Sequence, residues 1–149
     1  MINLNKFLDD ENVRDVFSVV NGFRDVGFIC LNGLKIKSIK GDDVLFERVP
    51  RQKSMVKKYL KEYHHDYTLI KNTNSRYFIS KKASVTKVKD FIKKYPDIMC
   101  SKKSQTELGL LLGYPECCVK NKNKKSDLDY DIPFNPCSVK CAKNWLKNK

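Results

Sequence analysis

The stretch that decides the fold reads Asp25-Val-Gly-Phe-Ile-Cys-Leu-Asn-Gly-Leu-Lys-Ile-Lys-Ser-Ile-Lys-Gly-Asp-Asp-Val-Leu-Phe-Glu-Arg-Val49. It holds three short segments rich in apolar residues, 25–31, 34–39 and 44–49, separated by Asn32-Gly33 and by Gly41-Asp42-Asp43. Asn-Gly is a strong signal for a two-residue hairpin turn, and the middle segment alternates apolar and polar side chains. The stretch therefore predicts a three-stranded antiparallel meander with one solvated face.

The sequence on both sides of this stretch has the spacing of amphipathic helices. Upstream, residues 3–20 repeat apolar side chains at helical intervals, and the helix is expected to stop at Asn21-Gly22. Its acidic residues fall off the apolar stripe, which is typical of a solvated face. Downstream, the pattern predicts a helix over 53–63, a hairpin formed by 66–72 and 76–80, and a helix that Ser84 caps and Pro96 ends.

The resulting fold class is α+β: an N-terminal helix, a small antiparallel sheet and a C-terminal helical subdomain that bears cysteines. The expected organisation is an α+β part, 1–103, and a helical cysteine-cluster unit, 104–149, packed on it as one domain. Ser104-Gln-Thr-Glu107 is interpreted as the capping box that opens this unit. Residues 121–131 are polar and predict a surface loop, and a closing helix is expected over 136–147.

The positive charge of the chain is concentrated in its middle. The formal net charge is +13, and residues 51–103 carry 15 Lys or Arg against 4 Asp or Glu. Such a block attracts polyanions, RNA among them, because each phosphate contact releases counterions. The predicted nucleic-acid-binding residues lie on the two middle helices, where aromatic side chains suited to base stacking are also found; they are Lys57, Lys58, Lys61, Lys89 and Lys93.

The same pattern also fits ordinary amphipathic helices, with lysine outside and aromatic residues in the core. Of the 30 basic residues, 25 are lysine, whereas arginine is the donor favoured for phosphate and base recognition. No aromatic RNA-recognition motif and no Cys/His finger is present in the sequence. The charge therefore indicates a partner class without identifying a reader fold.

Four of the six cysteines, Cys117, Cys118, Cys137 and Cys141, fall within 25 residues of one another. Each pair follows a proline, Pro115 or Pro136, which favours the start of a helix and a lowered thiol pKa. The spacing differs from that of a zinc ribbon, and adjacent cysteines do not easily ligate one ion. Cys30 lies in a strand pattern and is expected in the core.

Three uses of these thiols remain open. The favoured one is a metal site, zinc or an iron–sulfur cluster, held by the four cysteines, with Cys100 as an extra ligand and His64 or His65 as a weaker one. The second is a thiol-redox or nucleophilic enzyme that uses Cys117 or Cys118 and resolves with the later pair. The third is a nucleic-acid-binding module in which the cysteines are packing residues.

The segment Leu108-Gly-Leu-Leu-Leu-Gly-Tyr-Pro-Glu-Cys-Cys-Val119, followed by Pro133-Phe-Asn-Pro-Cys-Ser-Val-Lys-Cys141, resembles an uncharacterised prokaryotic family with an LGYPxCC and a later PCSxxC motif. The likeness covers about a third of the chain. It implies that the cysteine block is a recurring unit, and it implies no activity.

The remaining sequence signals concern the cellular compartment. No run approaches the roughly 20 apolar residues that span a membrane, and the first ten residues turn acidic where a secretory signal is apolar. A cytoplasmic protein without a membrane partner is expected, and its thiols would stay reduced. No phosphate-binding loop, dinucleotide glycine pattern or serine elbow is present, so the sequence leaves open whether the chain is an enzyme.

Overall fold

The computed structural model describes residues 2–96 and 101–120 of the 149-residue chain. Five helices and five strands lie in these two ranges, together with short 3-10 helices at Leu4–Lys6 and Lys82–Ser84. The helices are α1 (Asp10–Val20), α2 (Gln52–Tyr63), α3 (Val85–Lys94), α4 (Lys102–Leu111) and α5 (Glu116–Lys120), and the strands are β1 (Val26–Cys30), β2 (Leu34–Lys40), β3 (Asp43–Arg48), β4 (Tyr67–Lys71) and β5 (Arg76–Lys81). Helices with antiparallel strands confirm the α+β class.

The strands form two separate antiparallel sheets. One has the order β1-β5-β4, and the other is the hairpin β2-β3. The hairpin predicted across residues 72–75 is confirmed, with Leu69 opposite Ile79. The turn at Gly41-Asp42 joins β2 to β3 as expected.

The predicted three-stranded meander is wrong, because β1 pairs with β5 instead of β2. Phe28 lies opposite Phe78 across this pair. The physical reason is visible in β1 itself: Phe28 packs with one apolar cluster and Ile29 with another, so both faces of the strand need cover. Strand β2 alternates and has one polar face, so the turn at Asn32-Gly33 leads from one sheet into the other.

The three-stranded sheet is the middle layer of the fold, and its strand β5 contributes to two cores. Tyr77 and Ile79 pack with the buried residues of α1 and α2. Phe78, which points to the opposite face of the strand, packs with the buried residues of α3 and with Leu112 after α4. Helices α1 and α2 therefore cover one face, and α3 and α4 cover the other.

Two predicted helix starts are wrong. The helix expected over 3–20 is broken into a 3-10 turn and α1, and the Asp9 carboxylate accepts a 2.8 Å hydrogen bond from the Ile36 amide instead of capping α1. Helix α4 begins three residues before the expected capping box: Ser101 is its N-cap, and Ser104 is the reciprocal partner. Ser104 is fully buried, and its hydroxyl donates a 2.8 Å hydrogen bond to the Ser101 carbonyl.

Helix α3 begins after Ser84 as predicted, although the Ser84 side chain makes no capping hydrogen bond. Helix α1 ends at Asn21-Gly22, also as predicted. None of the helices in the described ranges is both long enough and apolar enough to cross a membrane.

Candidate functional site

A basic cleft of about 340 Å³ opens between α2 and β4. Lys57 and Lys61 stand one turn apart on α2, and Lys82 comes from the segment after β5. Leu60, Tyr67 and Leu69 lie beneath them as apolar wall, because α2 packs on β4. We call this site the lysine cleft; it is lined by Lys57, Leu60, Lys61, His65, Tyr67, Thr68, Leu69 and Lys82.

The lysine cleft gathers cations from two parts of the chain, α2 and the segment after β5. Lys57, Lys61 and Lys82 are all exposed, so their ammonium groups can reach a ligand in the cleft. The amide of Lys82 donates a 2.8 Å hydrogen bond to the carbonyl of Asp66, which fixes the third lysine against the strand that follows α2. Three cations and a histidine around one concave surface produce a positive potential that attracts phosphate.

The predicted lysines are divided between the two faces of the sheet. Lys57 and Lys61 line the cleft, whereas Lys89 and Lys93 are exposed on α3, behind the opposite face. Lys58 does not line the cleft, and its ammonium group lies 4.0 Å from the Glu62 carboxylate. The two lysine-faced helices therefore do not form one continuous surface.

A second cleft, of about 480 Å³, lies on the other side of α2, against the N-terminal 3-10 helix. Residues two positions apart on a helix lie about 200° apart around it, so Tyr59 and Tyr63 face away from Lys57 and Lys61. Phe17 and Tyr63 are 38% and 41% exposed, and their rings are accessible to a ligand. This aromatic cleft is lined by Ile2, Asn3, Leu4, Asn5, Phe17, Tyr59, Tyr63 and His64.

The rings of the aromatic cleft hold one another in place. The ring centre of Tyr59 lies 5.4 Å from that of Tyr63 and 5.2 Å from that of His64, both in tilted contact. The Tyr59 hydroxyl lies 3.2 Å from His64 Nε2. Partial burial, together with the neighbouring Tyr63, raises the pKa of Tyr59, so its hydroxyl stays neutral.

The first cysteine pair follows a sharp turn between α4 and α5. Gly113 adopts a left-handed conformation at φ +78°, which glycine accommodates without strain. Gly109 lets the two helices approach closely, since a Cβ there would lie 2.9 Å from Val119 Cγ2. Cys117 is exposed on α5, and Cys118 is 5% exposed. The two thiols therefore meet different environments.

A buried arginine ties this turn to the first helix. The Arg24 side chain is 1% exposed. It donates hydrogen bonds of 2.8 Å to Ser18 Oγ, 3.2 Å to Asp15 Oδ1 and 3.2 Å to the Tyr114 hydroxyl. Its Cζ atom also lies 5.5 Å from the centre of the Tyr114 ring. Sequence reasoning missed this network, and the solvated acidic face expected for α1 is wrong at Asp15.

Burial changes the acid–base behaviour of this network. It raises the pKa of Asp15 to about 6, because the loss of hydration outweighs the attraction of Arg24. Burial also raises the pKa of Tyr114, against the opposing effect of Arg24. At neutral pH the network thus holds a buried cation, a carboxylate near its titration range and a neutral phenol.

The proposed metal ligands are described only in part. Cys100, Cys137 and Cys141 lie outside the described residues. Within 2–96 and 101–120, no group of three or more His, Cys, Asp or Glu side chains is placed to hold a metal ion. Cys30 is exposed at the end of β1, so its expected core position is wrong; the core side chain at this end of the strand is Ile29.

Comparisons with protein-family models, with curated proteins and with solved structures gave no match to this chain. The chemistry of the two clefts and of the anchored cysteine turn therefore carries the functional inference.

Proposed function

We propose that this protein binds single-stranded RNA at the C-terminal end of α2. The observation that carries this proposal is that two adjacent residues line different clefts: His64 lines the aromatic cleft and His65 lines the lysine cleft. Adjacent Cα atoms are about 3.8 Å apart, so the linings of the two clefts come next to each other at this point. One strand crossing the end of α2 would reach both.

The chemistry of each cleft matches one part of a nucleotide. Lysine ammonium groups bind phosphate as point charges, and the lysine cleft offers Lys57, Lys61 and Lys82. Exposed aromatic rings stack on bases, and the aromatic cleft offers Phe17 and Tyr63. A flexible single strand can present a phosphate on one side of α2 and an unstacked base on the other, whereas a duplex keeps its bases stacked and paired.

The division of lysines between the two faces of the sheet provides a matched test. Lys57→Glu/Lys61→Glu reverses two charges one turn apart in the lysine cleft, and Lys89→Glu/Lys93→Glu reverses two charges at the same spacing on α3. Fluorescence anisotropy with a labelled single-stranded RNA should show at least about tenfold weaker binding for the first variant. The second variant should bind within a few-fold of wild type, because Lys89 and Lys93 lie behind the opposite face of the sheet. Both variants change the net charge by the same amount, so a difference between them reports the position of the charges.

Tyr63→Ala tests the aromatic cleft. Loss of one stacked base costs about 1–3 kcal/mol, so this variant should bind about tenfold more weakly, whereas Tyr95→Ala, on the other side of the sheet, should not.

Equal effects of the two lysine variants would show nonspecific attraction to net charge and would contradict the proposal. Single-stranded DNA and heparin, as competitors, distinguish RNA from other polyanions.

We also propose that the cysteine block binds a metal, zinc or an iron–sulfur cluster, through Cys117, Cys118, Cys137 and Cys141. The supporting observation is the anchoring of the Cys117-Cys118 turn by Arg24 through Tyr114, since a metal site gains affinity when its ligands are held in place. Elemental analysis and an absorption spectrum of protein purified without oxygen test this. About one zinc or one cluster per chain is expected, and it should be lost in Cys137→Ser/Cys141→Ser and kept in Cys30→Ser.

A chain with no metal would contradict this second proposal. If the same protein then formed an intramolecular disulfide under mild oxidant, the result would favour a thiol-redox function that uses Cys117 or Cys118. The exposure of Cys117 makes it the better candidate of the two for attack on an external substrate.

A further inference from the structure

The hairpin β2-β3 exposes one face that is almost entirely apolar. Side chains directly opposite in a pair share a face, and so do alternate residues along a strand. The register places five large hydrophobic side chains together, and each is between 37% and 64% exposed. We call this set the apolar hairpin face; it consists of Leu34, Ile36, Ile39, Val44 and Phe46.

A register shift in β2 builds this face. Ile36 lies opposite Phe46, the register then slips between Ile36 and Ser38, and Ile39 lies opposite Val44. Without the shift, Ile36 and Ile39 would point to opposite sides, because they are an odd number of residues apart. A β-bulge inserts one residue and brings both to the same side. The sequence thus keeps every β2 hydrophobe on one face.

The other face of the hairpin is polar, with one exception. Lys35 lies opposite Glu47, and Lys40 lies opposite Asp43, so opposite charges meet across the strands. Leu45, opposite Ser38, is the one large hydrophobic side chain there, and it is 54% exposed. One face is therefore suited to water and the other to an apolar partner.

In the described part of the chain, side-chain hydrogen bonds join the hairpin to the body only at its open end. The Gly33 amide donates 2.7 Å to Gln52 Oε1, Gln52 Nε2 donates 3.0 Å to the Leu34 carbonyl, and the Ile36 amide donates 2.8 Å to Asp9. A two-stranded hairpin is marginally stable alone. An exposed apolar patch of this kind marks an interaction site.

We propose that the apolar hairpin face is the interface of a homodimer, in which the hairpins of two copies pack face to face. Charge supports a second copy as the occupant. Residues 34–48 carry four Lys or Arg and three Asp or Glu, whereas the chain carries +13. Two copies therefore meet with little net repulsion here. A polyanion would find few donors on this face, so the proposal is independent of RNA binding.

The ends of the hairpin also favour a defined orientation. Arg48 lies on the apolar hairpin face at the open end, opposite Leu34, and Asp42 lies in the turn at the closed end. In a face-to-face dimer, the two-fold axis can lie between the two hairpins and run perpendicular to their strands. This arrangement sets the open end of one hairpin over the closed end of its partner. Each Arg48 then approaches the partner's turn aspartate, whereas parallel packing would bring the two arginines together.

Sedimentation equilibrium tests the dimer, and the two faces supply matched variants. Wild type should dimerise in the micromolar range. Ile39→Asp and Phe46→Asp place a charge in the interface and should weaken the dimer by at least about tenfold. Leu45→Asp introduces the same residue on the polar face and should leave the dimer within a few-fold of wild type. Urea unfolding of each variant checks that the chain still folds.

A charge exchange tests the orientation. Arg48→Asp should weaken the dimer, and Arg48→Asp combined with Asp42→Arg should restore it. A wild-type chain that stays monomeric throughout the micromolar range would overturn the proposal, and that is the result expected if another protein or residues 121–149 cover this face. Equal dissociation by Leu45→Asp and Ile39→Asp would overturn it as well.

Discussion

The guanidinium group of Arg24 donates a 3.2 Å hydrogen bond to the hydroxyl of Tyr114, 90 residues further along the chain. Arg24 follows the first helix, and Tyr114 precedes the first cysteine pair by three positions. The same guanidinium also binds Asp15 and Ser18 of α1. The cysteine turn is therefore joined to the N-terminal part of the fold through a buried, charged group.

Replacement of Arg24 should destabilise the protein strongly. Arg24→Met leaves the Asp15 carboxylate buried without its cation, so the free energy of unfolding at pH 7 should fall by about 3–5 kcal/mol. Tyr114→Phe removes one hydrogen bond to a charged group and should cost about 2 kcal/mol. Urea unfolding measures both changes. The control is Arg14→Met, since Arg14 lies 3.9 Å from the same carboxylate but is 34% exposed; an equal loss there would contradict this assignment.

The raised pKa of Asp15 predicts a pH dependence of stability. The folded protein holds the Asp15 proton up to a pH of about 6, whereas an unfolded chain releases it near the ordinary pKa of 3.8. This group therefore contributes most to stability below about pH 4, and the contribution is lost as the pH rises towards and through 6. Relative to Asp15→Asn, wild type should lose up to about 3 kcal/mol between pH 4 and 7. A relative gain over this range would show that the attraction of Arg24 outweighs burial.

Local patterns were sufficient to predict most of the elements but not their pairing. The hairpin across 72–75 and the stop at Asn21-Gly22 were predicted because short-range turn chemistry decides them. The partner of β1 could not be predicted in this way, because Phe28 and Phe78 are 50 positions apart. The Asn32-Gly33 turn also does not identify the strand that pairs with β1. Nearest-neighbour pairing was the wrong assumption.

The candidate site shows the same limit. Lys57 and Lys61 were predicted from helical spacing, but Lys82 joins them only because β5 returns beside β4. Arg24 carries no local signal, since a single arginine after a helix is normally solvated. Beside it, Gly27 lets β1 approach α1 closely, since a Cβ there would lie 2.7 Å from Val19 Cγ2. A glycine inside an apolar strand was the one available clue to this close approach.

The two neighbouring thiols should differ in reactivity. Cys117 is exposed, whereas Cys118 is 5% exposed, so alkylation of Cys118 requires local opening of α5. Brief treatment of metal-free, reduced protein with iodoacetamide, followed by mass spectrometry, should modify Cys117 at least about tenfold faster. Exposed Cys30 serves as an internal reference, and denatured protein should remove the difference. Equal rates in the folded protein would contradict the placement of Cys118.

The salt dependence of RNA binding should report the lysines that touch phosphate. Each phosphate contact to a single strand contributes about 0.7 to the slope of log affinity against log salt concentration. Lys82→Gln should therefore reduce that slope by about 0.7. Lys58→Gln provides the control, because Lys58 lies on α2 outside the lysine cleft and beside Glu62. An equal reduction in both variants would place the RNA elsewhere on α2.

The most direct test of the central claim is a map of backbone amide chemical shifts during titration with a short single-stranded RNA. If the strand crosses the C-terminal end of α2, shifts should concentrate at residues 57–69, at Phe17 and at Lys82, while the amides of α3 stay unchanged. Shifts centred on Lys89 and Lys93 of α3, or spread evenly over all exposed lysines, would contradict the account.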